Sequence, residues 1–475
     1  MSAGAGDGVG LHEVEALSLS GQPLTIRASA IADLAKNLRG SILTPRCSGY
    51  DEARRVWNAM IDRYPALIAR CTGTADVVTA VNFARHEGIL TCVRSGGHSQ
   101  SGSCMLDGAF VVDLMAMRAV RVDPVARAVW AQPGATLGDI DHETTAFDLA
   151  VPAGRQSTTG IGGLALNGGM GYLSRSCGLT VDNLRSADVV LADGSFVRAS
   201  QDSNADLFWA VRGAGGNYGV VTSFEFDAHP VKDIFGGIIT FPRQDGADLC
   251  RLFRRVMADA PDELDMSFGL MALPDGTPVS AVLACYRGPR EDAEALLRPV
   301  REWRRPLADH MGVKSFREVQ ALFDDLGWGK PTYWKSSMAE EIADGAIDVL
   351  VAQAEKMESP MSIVLIECSG GAVARVEETA TPYPHRSARY SLVASARWER
   401  SEPEEDARHV GWAKETHALL QPHAQKRVYL GFVSDDGGDR LRETYGCNYD
   451  RLVEIKAKYD PANMFRNAAN IKPKA

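Results

Sequence analysis

The residues best suited to chemistry in the first hundred positions are Arg94-Ser95-Gly96-Gly97-His98-Ser99. Adjacent glycines let a chain turn sharply and bring its backbone against a ligand. Successive N–H groups in such a turn form a concave anion site suited to phosphate. His98 would then point at whatever the turn holds. Taken alone, the hexapeptide fits a surface turn as well, so the rest of the chain has to decide. A second cluster is denser: Ser157-Thr158-Thr159-Gly160-Ile161-Gly162-Gly163, then Asn167-Gly168-Gly169-Met170-Gly171. So many glycines weaken helix and strand alike. Their physical use is close backbone approach to a flat ligand and its phosphates.

The elements that must position these turns follow from periodicity. Tyr64–Arg70 reads as a strand, and Thr74-Ala75-Asp76 caps a helix that ends near Gly88. The apolar run from Gly88 to Val93 reads as a buried strand feeding the histidine turn. Strand-like runs follow at 110–114, 119–122 and 128–131, with a pair at 187–192 and 195–198 around Asp193-Gly194. No G-x-G-x-x-G sits between a first strand and a helix, so this is not a Rossmann fold. Residues 1 to about 25 read as a loose leader. From about Ile234 the pattern changes. Strands at 238–241, 266–273, 279–286, 361–368, 390–398 and 426–432 alternate with helices at 247–257, 291–303, 315–323, 340–356 and 405–420. That proportion implies an antiparallel sheet with helices on one face, its other face forming a substrate pocket.

Composition narrows the function classes. At 475 residues the chain exceeds one typical core. Its net charge of −10 offers no basic stripe for nucleic acid. Nine dispersed cysteines, none in C-x-x-C or zinc-ligand spacing, point to reduced thiols in a cytoplasmic protein and to no metal site. No signal peptide is read at the N-terminus, and no apolar run approaches the ~20 residues of a membrane span. A monomer or homodimer is expected.

Together, Arg94–Ser99, Thr159-Gly160-Ile161-Gly162-Gly163, Gly178-Leu179-Thr180-Val181-Asp182-Asn183-Leu184, and Asp206-Leu207-Phe208-Trp209-Ala210-Val211-Arg212-Gly213-Ala214-Gly215-Gly216 resemble one family. It is the berberine-bridge-enzyme-like branch of the vanillyl-alcohol-oxidase (PCMH-type) flavoproteins. Asn448-Tyr449-Asp450-Arg451-Leu452 and Lys458–Phe465 are similar to its C-terminal signature. The resemblance implies an α+β fold: a two-part FAD-binding domain with an inserted antiparallel-sheet-plus-helices substrate domain. The expected divisions are 1–59 (leader and start of the FAD domain), 60–230 (FAD-binding), 231–432 (substrate-binding) and 433–475 (a return to the FAD domain).

The resemblance also implies FAD bonded through a ring nitrogen of His98 to its 8α-methyl. Arg94, Ser95, Gly96, Gly97 and Ser99 would wrap the pyrophosphate. Thr158, Thr159, Gly160, Gly162 and Gly163 would lie against the ribityl chain and ring, and Gly219 and Val221 on the adenine side. Pro133, Gly134 and Asn448 complete the implied cofactor contacts, while Asp182-Asn183 orders a turn. Bicovalent members carry a second anchor in Ala-Gly-x-Cys; here Ala153-Gly154-Arg155-Gln156 has Gln156 in its place. A single link through His98 is therefore expected, with Cys177 an unmodified thiol. The missing thioether leans away from carbohydrate substrates. Thr159 resembles the small, oxygen-permissive residue beside flavin C4a.

Oxidising a C–H bond as hydride is helped by a base that takes the neighbouring O–H or N–H proton. Glu367, in the apolar run Leu365-Ile366-Glu367-Cys368, would have its pKa raised by burial, although strand alternation could equally turn it to solvent. Family likeness adds Tyr445 and Tyr449. Tyr429-Leu430-Gly431 stands where the family has Tyr-x-Asn, so one polar contact is missing. His385 is expected to be structural. The implied activity is oxidation of a small alcohol or amine with O2 as acceptor. The alternatives are a dehydrogenase using another acceptor and a flavin-binding protein without turnover.

Overall fold

The computed structural model describes residues 12–324, 328–400, 402, 404–425, 429–432, 434, 441–466 and 469–474. Strands Leu67–Arg70 and Thr91–Arg94 both run parallel to Phe110–Asp113 between them, and Ser41–Leu43 adds an antiparallel edge. Helix Thr74–Glu87 makes the crossover, burying Val77, Ala80, Val81 and Ala84 at helical spacing. Gly88, at φ +64°, ends it by donating to the carbonyls of Ala84 and Arg85. Its start differs from expectation. Gly73 holds the cap position, and Asp76 instead accepts N–H groups from Arg39, Gly40 and Thr72. The histidine turn leaves directly from the end of strand Thr91–Arg94.

A second, antiparallel sheet runs in the order Phe196–Ser200, Leu184–Val190, Val220–Asp227, Ala128–Ala131, Val120–Asp123. The third and largest runs Asp233–Pro242, Pro278–Tyr286, Leu264–Ala272, Ile363–Cys368, Tyr390–Arg397, Thr332–Ala339, with two short strands on its first edge. One face of it carries Met266, Phe268, Val282, Ala284, Val364, Ile366 and Leu392. They pack on Leu249, Phe253 and Met257 of helix Gly246–Ala258, Leu297 of Arg290–Arg301, and Ile347 and Leu350 of Asp344–Ala354. Each such buried side chain contributes about 1.5–3 kcal/mol. Side chains alternate along a strand, so Asp265, Ser267, Glu367 and Ser391 face the other way. Ser267, Glu367 and Ser391 stand side by side in register.

Three expectations change. The leader is partly ordered: Val14–Leu17 pairs with Pro23–Ile26 and buries Ala16 and Ile26, while residues 1–11 lie outside the described residues. The strand expected at 426–432 is not seen over its described residues. Leu430–Phe432 is a 3-10 turn, and 426–428 lie outside the described residues. A strand that had not been expected, Thr332–Ala339, closes the large sheet beside Tyr390–Arg397.

The C-terminal helix Tyr449–Tyr459 returns to the first part of the chain through a fully buried cation. Lys456 Nζ donates to the carbonyls of Asn217 (2.6 Å) and Phe465 (2.7 Å) and pairs with Asp460 (2.6 Å). Asp460 also accepts the N–H groups of Met464 and Phe465. Asp460→Ala leaves an ammonium buried without its counter-charge and is expected to cost about 3–5 kcal/mol, read as a lowered urea midpoint.

Candidate active site

The two glycine turns meet backbone to backbone. A Cβ at Gly96 would lie 2.5 Å from Gly160 Cα, and one at Gly160 would lie 2.4 Å from Gly96 N. At Gly162 it would meet Ser95 Oγ at 2.7 Å. Ser95 Oγ donates to the Pro133 carbonyl, which fixes the first turn on the strand-to-helix corner behind it. None of the N–H groups of Gly96, Gly97 and His98 is taken by an acceptor among the described residues. Ser99 Oγ lies 3.3 Å from the hydroxyls of both Ser101 and Ser103.

These turns form the floor of a cavity of about 340 Å³. Its walls are Gly216, Gly219, Val221 and Phe465 from the second sheet and C-terminal segment, and Trp57, Arg155, Gln156, Trp334, Glu367, Tyr429 and Phe432. His98 enters it with its ring stacked on Trp57 (centroids 5.5 Å, 21° between planes) and edge-on to Trp328 (5.5 Å). Nε2 is buried with no hydrogen-bond partner among the described residues. Burial lowers the His98 pKa to about 4 and Arg397 lowers it too, against a hydrogen bond to the Thr158 main chain that raises it. The imidazole is therefore neutral at physiological pH.

Glu367 is 4% exposed and faces the cavity, which settles the alternation in favour of the inward orientation. Arg155 holds it at 3.0 Å and clasps Asp265 through two nitrogens at 2.6 and 3.0 Å. The guanidinium lies over the Tyr172 ring, 4.8 Å from its centroid. Burial raises the Glu367 pKa, Arg155 lowers it in part, and Asp265 raises it again. Glu367 Oε2 has no hydrogen-bond partner. The triad carries two carboxylates and one cation, so its charge is satisfied when one acid holds a proton or a cation binds nearby.

Of the residues expected at the site, Ser95, Gly96, Gly97, His98, Ser99, Pro133, Thr159, Gly160, Gly162, Gly163, Gly219, Val221 and Glu367 line the cavity. The others lie outside the lining. Arg94 turns its guanidinium to the Ala53 carbonyl, and Gly134 packs where a Cβ would meet Leu114 O at 2.1 Å. Thr158 Oγ1 is buried and unpartnered, and Asn448 donates to the carbonyls of Glu378 and Thr381. Neither expected catalytic tyrosine reaches the cavity. Tyr445 is buried in the core with its hydroxyl 3.4 Å from Gly213 O, and Tyr449 packs there beneath Arg442. Family likeness named them by position, and the short 3-10 turn Gly446–Asn448 turns both toward that core. Gln156 does line the cavity, donating to Phe323 O, whereas Cys177 does not. Trp57, Arg155, Asp265, Trp334 and Phe432 were not foreseen. Only Arg155 had a signal, beside Gln156.

Free N–H groups in a glycine turn, a neutral imidazole with an unpartnered nitrogen, and a cavity floor that admits no Cβ at Gly96, Gly160 or Gly162 fit a flavin dinucleotide. The fold and site define a flavin-nucleotide-binding oxidoreductase. Comparison with known proteins agrees. Residues 65–200 match the FAD binding domain model, and 428–472 match the berberine and berberine-like model. The chain is 30% identical over 455 residues to (R)-6-hydroxynicotine oxidase of Paenarthrobacter nicotinovorans, covering 92% of this chain and 97% of that one. Monolignol oxidoreductase AtBBE-like 13 of Arabidopsis thaliana is 30% identical, with 83% and 81% covered. The crystal structure of 6-hydroxy-D-nicotine oxidase from Arthrobacter nicotinovorans superposes with a TM-score of 0.85 at 29% identity, covering 92% of this chain and 98% of that one. The chain belongs to the berberine-bridge-enzyme-like FAD-linked oxidoreductases.

Gly160→Ala forces the two turns apart and is expected to abolish flavin binding while the chain still folds. Absorbance near 450 nm per mole of purified protein checks this.

Proposed function

We propose that this oxidoreductase is an oxidase of a small aromatic alcohol or amine, with Glu367 as base and His98 as the single covalent anchor of FAD. The observation that carries it is Glu367, a buried carboxylate with an unpartnered oxygen, set in the cavity wall beside Arg155. When bound, the flavin accepts a hydride at N5 and gives its electron pair to dioxygen, forming hydrogen peroxide. Glu367 takes the proton from the substrate O–H or N–H as the C–H bond breaks. Arg155, fixed by Asp265 and Tyr172, keeps the carboxylate in place and limits how far burial disfavours its charge. Trp334, Tyr429 and Phe432 offer ring faces and edges to an aromatic substrate, with Trp334 and Phe432 centroids 5.3 Å apart. The relatives' names, for a hydroxynicotine and a monolignol, support that class. Thr159, small and in the lining, leaves room for dioxygen. A flavoprotein without turnover is disfavoured by Glu367 reaching the cavity. Nine free thiols, six of them buried, support a reducing, cytoplasmic setting.

Glu367→Gln is expected to keep its flavin and to slow anaerobic bleaching by an aromatic alcohol or amine about 10²–10⁴-fold. As a base Glu367 must be ionised. The wild-type rate should therefore fall as pH drops through a pKa above the ordinary carboxylate range, and the variant should lack that limb. Admitting air to the reduced enzyme should restore the yellow form rapidly with hydrogen peroxide released; slow recovery overturns the oxidase reading.

Acid precipitation of the wild-type chain should keep the yellow colour with the pellet. His98→Ala should release it, and Cys177→Ala should not.

A further inference from the structure

Trp57 stands apart from the motifs, yet its ring stacks on His98 and its main chain bonds the histidine turn. We propose that Trp57 is a positioning residue for cofactor attachment, holding the His98 ring in the plane from which its nitrogen can bond the flavin. This rests on the covalent reading of His98.

The placement has three parts. Trp57 is 3% exposed and stacks on His98 at 21° between planes. Its main chain is strapped on both sides: its N–H donates to Gly97 O at 2.9 Å, inside the histidine turn, and its carbonyl accepts from Gly329 N at 3.2 Å. Its indole also carries the guanidinium of Arg397, 4.9 Å from the ring centroid. An indole face attracts cations, so stacking by itself would help His98 to charge. Arg397 already occupies that aromatic surface, and a second cation beside it would be repelled. Among the described residues, the charged group acting on His98 is Arg397 from strand Tyr390–Arg397. The other groups packed on the ring are the Trp57 and Trp328 indoles and the Thr158 main chain.

Attachment replaces one C–H bond of the 8α-methyl and the imidazole N–H with a C–N bond. Two protons are released, and the two electrons remain on the isoalloxazine ring until dioxygen removes them as hydrogen peroxide. The nucleophile is a nitrogen lone pair, which protonation abolishes. A misplacement of about 1 Å can cost on the order of 10²-fold in such a step.

The test uses full-length chain made with flavin withheld, then given excess FAD. Bound flavin is followed by fluorescence quenching, and attached flavin by acid-stable fluorescence on a denaturing gel. Trp57→Ala is expected to bind FAD yet attach it at least about tenfold more slowly, and Trp57→Phe, which restores a ring face, to recover most of the rate. Opening the ring to water raises the His98 pKa toward its ordinary value, so the alanine variant should lose attachment at a higher pH than wild type as pH falls. Arg397→Gln should shift that limb the same way. Should Trp57→Ala bind no FAD, Trp57→Leu, apolar but without a ring, replaces it with the same outcomes. A wild-type chain that releases its flavin overturns the covalent reading and this inference with it. A wild-type chain that attaches flavin, beside a ringless variant attaching it equally fast with the same pH limb, overturns this inference alone.

Discussion

The contact between Gly96 and Gly160 is the constraint on which the site depends. Two loops from different parts of the chain cross with their backbones closer than any side chain permits. Such an approach leaves main-chain N–H groups facing the cleft instead of each other. It also sets the distance between the histidine turn and the second glycine cluster, and hence where a flat ligand can lie. Everything behind the contact braces it. Ser95 is tied to Pro133, Gly162 is closed over Ser95, and Leu137 N–H and Gly138 N–H bond the carbonyls of Thr159 and Ser157. Glycine is disfavoured in regular structure, and here that cost is offset by a geometry no other residue can reach.

The large sheet is fastened over this cleft by polar contacts as well as by apolar clusters, such as Met170, Leu179 and Val181 on Met338 and Tyr172 and Leu173 on Leu283. Arg155 reaches Asp265 and Glu367, and Arg175 donates to the carbonyls of Leu264 and Ser369. Asp182 takes both terminal nitrogens of Arg386 at 2.8 Å, and Ser157 bonds Asp324. Buried ion pairs add little net stability compared with well-packed apolar groups, but a lone partner is costly, so they penalise every misplaced arrangement. Apolar contact alone would tolerate sliding. A bidentate arginine clamp does not.

Much of this was legible because it is local. Helix Thr74–Glu87, the strand feeding His98, and the glycine clusters each announce themselves within a dozen residues through period and composition. So did Glu367, an acid in an apolar strand, though only the observed sheet decides which face it takes. What was hidden is what comes together across distance. Arg155 meets Asp265 across 110 positions, and Trp57 meets His98 from a short irregular segment. Strand Thr332–Ala339, TYWKSSMA, has neither clean alternation nor a continuous apolar run, because its role is to bring Trp334 to the cavity while its neighbours pack on helix Glu405–Leu420. Tyr445 and Tyr449 show the converse error: a motif can fix an order in the chain without fixing which way a side chain points.

Burial acts in opposite senses on the two titratable groups that matter, and that asymmetry organises the chemistry. Removing water penalises charge of either sign. For His98 the penalty, with Arg397 adding to it, amounts to about 3 kcal/mol against the imidazolium, and it preserves the lone pair of the ring. For Glu367 the same penalty favours the protonated acid, which a base cannot use. Arg155 answers it, but only in part, because Asp265 takes the better share of the guanidinium, two contacts to one. Glu367 thus keeps a raised pKa that Arg155 holds back only in part. The division of one arginine between two acids therefore moderates the shift at Glu367, while the same dry surroundings keep His98 neutral.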